Sequence, residues 1–106
     1  MAFDFNEVVA EMLGAIKTTT KENWDIVKET AAGNLQERKL RLELLASLML
    51  QKEIDKEFFL KRLADEKKIL QSELHSIAII TKATAQKAAN AAIDILQNAV
   101  FKAIGL

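Results

Sequence analysis

Cysteine and proline are absent from this sequence of 106 residues, and glycine occurs only as Gly14, Gly33 and Gly105. Without cysteine there is no disulfide framework and no thiolate metal site. Sheet proteins need turn residues at short intervals, and a chain this poor in glycine and proline does not supply them. Long hydrophobic runs are missing too. The most apolar stretch, Leu44–Leu50, falls far short of the ~20 residues that span a bilayer. The first residues are acidic and lack the basic start and apolar run of a secretory signal, so the expected location is cytoplasmic.

Helix formers take the place of these residues. Leu, Ala, Lys and Glu dominate, and half of the residues are hydrophobic. The length suits one domain over residues 1–106, and a chain this short buries only a modest part of its surface by itself. Net charge is zero but unevenly spread. Residues 1–33 carry six acids against three lysines, and residues 34–68 carry nine basic side chains against seven acids. Residues 69–106 hold only Glu73, Asp94, Lys82, Lys87 and Lys102.

The expected fold is all-α, with long antiparallel helices forming a bundle that oligomerisation completes. Asp4 and Glu7 have the spacing of a capping box, with Phe3 and Val8 at the staple positions. Phe5, Val9, Leu13, Ile16, Thr20, Trp24, Val27 and Ala31 then follow an eleven-residue repeat, so the first helix is predicted over about 4–32. Thr18–Thr20 is its weak point, and Thr19 with Glu22 offers an alternative cap. Gly33 is the expected stop and Asn34 the next N-cap, with a second helix over about 34–52. The second half of that helix is apolar nearly all round, which predicts burial among neighbours. Asp55, flanked by Ile54 and Phe59, starts a third helix over about 55–104, which either bends near 76–84 or protrudes and is covered by another copy. Unbroken, it would measure roughly 75 Å at 1.5 Å per residue, too long for a compact chain of this size.

Residues 77–104 carry the widest apolar face. Ile77, Thr81, Ala85, Ala88, Ala92, Leu96, Ala99, Val100 and Ile104 form the predicted interface with another copy. Six alanines among residues 83–92 let helix backbones approach closely. A broad apolar face on a soluble protein marks an interface, and closed dimers are the commonest solution.

No chemistry-bearing constellation accompanies this pattern, so no catalytic, cofactor-binding or metal site is expected. His75 is the sole histidine, and no carboxylate lies three or four positions from it. Glu-x-x-His pairs of the di-iron type do not occur. The overall charge is neutral and acids are interspersed among the basic residues of 34–68, which argues against a nucleic-acid footprint. Glu66 is the one acid on an apolar track, and an edge position that reaches solvent is expected for it. Trp24 reads as a core residue. The function these features suggest is non-enzymatic: a structural or adaptor protein acting through helix packing and self-association, with a protein partner as a further option. The alternative is an amphipathic coat lying on, not spanning, a lipid or polymer surface.

Overall fold

In the computed structural model, which describes residues 3–105, four α-helices follow one another: α1 (Phe5–Thr20), α2 (Trp24–Leu50), α3 (Lys56–His75) and α4 (Lys82–Ala103). A 3-10 turn, Lys21–Asn23, joins the first two.

α1 starts where its cap dictates. The Asp4 carboxylate accepts hydrogen bonds from the backbone amides of Asn6 (3.0 Å) and Glu7 (3.3 Å). Its buried row is Phe5, Val8, Met12, Ile16 and Thr20. That row is turned from the expected one, since Val9 and Leu13 are only half-buried. The helix then ends at Thr20, where a continuous helix to residue 32 was expected. The hydroxyls of Thr18, Thr19 and Thr20 donate to the carbonyls of Gly14, Ala15 and Ile16 at 2.9–3.0 Å. Three successive side-chain bonds of this kind compete with the backbone ladder and weaken the last turn. Lys21 closes it with a positive φ of 50°.

α2 runs without a break through Gly33 and Asn34, where the sequence pattern suggested a reversal. Val27, Ala31, Leu35, Leu42, Ala46 and Met49 form one continuous buried row across that point. Glycine inside a helix costs roughly 0.5–1 kcal/mol. Burying a single leucine contributes about 1.5–3 kcal/mol. The row therefore outweighs the stop signal. α2 ends in a Schellman arrangement, with Glu53 N–H donating to Leu48 O (2.8 Å) and Lys52 N–H to Met49 O (3.0 Å).

Asp55 caps α3 as expected, accepting from the Phe58 amide at 2.8 Å. The expected kink near residues 76–84 is a full break. Ser76 donates its hydroxyl to Glu73 O, Ile80 turns into the core, and Thr81 caps α4 by accepting from the Thr84 amide at 3.1 Å.

The pairing runs up, down, up and down. The start of α1 lies beside the end of α4, and the end of α1 beside the start of α4. On the α3–α4 side, Phe59 stacks obliquely on Phe101 (5.7 Å between centroids), and Lys67 pairs with Asp94 at 2.8 Å. α2 meets α3 through Arg38 and Arg41 against Glu66, and through Leu44 and Leu48 near Phe58. Around the bundle the order is α1, α4, α3, α2, and among the described residues no Cα of α1 comes within 8 Å of one in α3. At about 1.5 Å per residue, α2 by itself spans the 40 Å long dimension.

Candidate interaction surface

α4 is the inner wall of this bundle. Ala85, Ala88, Ala92, Leu96 and Val100, five of the nine residues predicted to meet another copy, are completely buried within the chain. Ile77, Ala99 and Ile104 are half-buried and pack against the same core. Thr81 is exposed and serves as the α4 cap. The predicted seam is thus an internal one. The break at residues 76–81 doubles the chain back, and the alanines let α1 and α3 close over α4 from both sides. A face too wide for one neighbour has two neighbours from its own chain.

Ile26 and Ile79 are exposed at separate places, and the remaining exposed large apolar side chains lie along the second half of α2 and the start of α3. Leu40 is 80% exposed, Leu44 60%, and Phe58, at the start of α3, 48%. Leu40, Leu44 and Leu48 are spaced four apart and run along one side of α2. Core residues Leu42, Leu45 and Met49 occupy the other side. The expectation that this half of α2 is surrounded holds for only one side. Leu44, Leu45, Leu48 and Phe58 line a shallow recess of about 200 Å³, flanked by Arg41, Arg62 and Glu66.

Glu66 is not at a solvent edge. It is buried in the α2–α3 seam, ion-paired with the guanidinium of Arg38 and with Arg41 Nε at 3.1 Å. It therefore offsets one of the two positive charges that Arg38 and Arg41 bring to that seam. Arg62 has no ion-pair partner within 4.0 Å among the described residues.

A second groove follows the α1–α4 seam, with a volume of about 350 Å³. Phe3, Val8, Ile95 and Ala99 supply its apolar floor. Asp4, Glu7 and Glu11 stand on its rim against the single cation Lys102.

His75 is exposed at the last turn of α3. Among the described residues, no three His, Asp or Glu side chains gather as a metal site. No helix among the described residues is long and apolar enough to cross a membrane. Trp24 is half-buried at the start of α2 and packs against the core. The chain matches no protein-family model, no curated protein and no solved structure.

The exposed row was present in the sequence as Leu40, Leu44 and Leu48 running beside a second apolar row. Two rows on one helix signal burial on two sides. Which side the chain itself covers depends on where α3 lies, and local spacing does not encode that.

Proposed function

We propose that this chain is a non-enzymatic structural protein that acts through helix packing and self-association. The exposed row Leu40–Leu44–Phe58 beside Arg41 and Arg62 carries this reading. Aromatic, leucine and arginine side chains grouped on an otherwise polar surface have the composition of an interface core. Three of the four helices carry side-chain caps and one buried core joins them within the chain, so association adds to a formed bundle.

The test is molar mass in solution by light scattering over a roughly hundredfold concentration range, with Leu44→Ser as the comparison. Wild-type mass should rise with concentration, and the substitution should suppress the rise without altering helicity. A wild-type chain that stays monomeric throughout overturns the proposal. Coating of a lipid or polymer surface is the competing reading, favoured by the arginines beside the apolar row. Anionic vesicles that bind the monomeric wild type, and lose that binding in Leu44→Ser, would replace self-association with it.

A further inference from the structure

The two apolar surfaces lie on opposite sides of the bundle. The helix order α1, α4, α3, α2 sets the α1–α4 groove across from the α2–α3 ridge. Their charges are opposite as well. Arg62 and Arg41 flank the ridge, and the acid beside them, Glu66, is already held by Arg38 and Arg41. Asp4, Glu7 and Glu11 flank the groove, and only Lys102 offsets them. In shape, the α2–α3 surface sets projecting leucines beside a shallow recess of about 200 Å³, and the α1–α4 surface is the larger recess. Leu40 and Leu44 stand out from α2, whereas the groove offers about 350 Å³, room for more than one side chain.

We propose that copies of this chain join head to tail, the α2–α3 ridge of one seated in the α1–α4 groove of the next. This deepens the self-association reading and rests on it. A two-fold dimer would bring ridge against ridge, and so arginine against arginine, or groove against groove and acid against acid. Like-charge juxtaposition of that kind disfavours a pairing. Ridge in groove pairs apolar with apolar at the centre and cation with anion at the rim. Because each copy carries both surfaces on opposite sides, every added copy presents a fresh ridge and a fresh groove. Such an interface generates an open series of assemblies, or a ring if the rotation closes.

The proposal is tested with exposed positions, so that folding is spared. Glu7→Lys with Glu11→Lys reverses the groove rim, and Arg62→Glu reverses the charge at the one ridge arginine without an ion-pair partner among the described residues. Alone, each variant should need a concentration at least roughly a hundredfold higher to associate, the equivalent of a few kcal/mol. Mixed one to one, they should regain the wild-type series of masses. The reversed ridge then meets the reversed groove, and the two native surfaces meet each other. A second pair separates geometry from charge. Leu44→Glu blocks only the ridge, so its mixture with the groove-reversed chain should stop at a one-to-one heterodimer. Helicity and thermal midpoint are read for every variant, and Phe58→Ser replaces Leu44→Glu if the latter fails to fold. Wild-type assembly that stops at a closed dimer, or that persists in the groove-reversed chain, overturns the head-to-tail arrangement while leaving self-association standing. Failure of the charge-reversed mixture to recover has the same meaning. A wild-type chain monomeric at every concentration overturns both.

Discussion

Glu66 of α3 and Arg38 of α2 form an ion pair buried between the two helices, and Arg41 adds a second contact to the same carboxylate from one helical turn further along. Leu44 lies near Phe58 in the same seam. Removing one member of the ion pair leaves the other charged and largely out of water. Breaking a buried pair in this way costs about 3–5 kcal/mol, a large part of the total stability of a small domain. Glu66→Ala should therefore lower the urea midpoint steeply. Replacing both partners, Arg38→Met with Glu66→Leu, should recover most of that loss, because apolar substitutes of similar size need no compensation. Equal destabilisation in the single and double variants would show that the pair is not the source of the effect.

α2 stops at a residue with the wrong backbone preference. Lys52 adopts φ +60° to complete the Schellman bonds at the end of the helix. The left-handed region disfavours side chains with a Cβ by roughly 1–2 kcal/mol, and glycine carries no such penalty. Lys52→Gly should raise stability by about 1 kcal/mol, as measured by chemical denaturation. No gain would mean that the Lys52 side chain itself contributes there.

Much of this fold was legible in the sequence, and the failures have different causes. Asp4 and Asp55 could be identified as caps because their chemistry is local. The break in residues 76–81 was legible as a region because an unbroken helix would have been too long. The end of α2 was legible too, within two residues of the expected boundary at 52, although Lys52 is neither glycine nor asparagine; the stop at Lys21 was passed over for a continuous helix. At Lys21 the signal was the run Thr18–Thr20, whose hydroxyls all turn back on the preceding carbonyls. Gly33-Asn34 had the opposite fault: the local signal was sound, but the tertiary row from Val27 to Met49 overrode it. Ala88 and Ala92 show the deeper limit. Periodicity reports that a face is covered but not whether the same chain covers it, so residues of the internal core were read as contacts with a second copy.

The overridden signal leaves a mark at Gly33 and Asn34. Asn34 is buried, and neither its Oδ1 nor its Nδ2 reaches a protein hydrogen-bond partner. An unsatisfied buried polar group costs about 1–3 kcal/mol. Gly33 sits beside it with open space where a Cβ would be. Asn34→Leu should stabilise the protein by at least about 1 kcal/mol, and Gly33→Ala by about 0.4–1 kcal/mol. Thermal midpoints of both variants should rise. A fall in Asn34→Leu would show that the amide is satisfied in solution.

Ala88 and Leu44 divide the apolar surface of this chain into its two uses, and a charge at each should have opposite consequences. Ala88 is fully buried in α4 between its neighbours. Ala88→Glu would force an unpaired carboxylate into that core. An ionised group there has no partner, and the penalty of several kcal/mol is comparable with the whole stability of a small domain. The helical signal in circular dichroism should fall sharply, and melting should lose its cooperativity. Leu44 is 60% exposed, so Leu44→Glu removes little burial and should shift the melting midpoint only slightly while suppressing association. If Ala88→Glu instead left a cooperative, helical monomer, then α4 would be packing against another copy in solution and not against its own α1 and α3. The internal and external faces assigned here would then have to be exchanged.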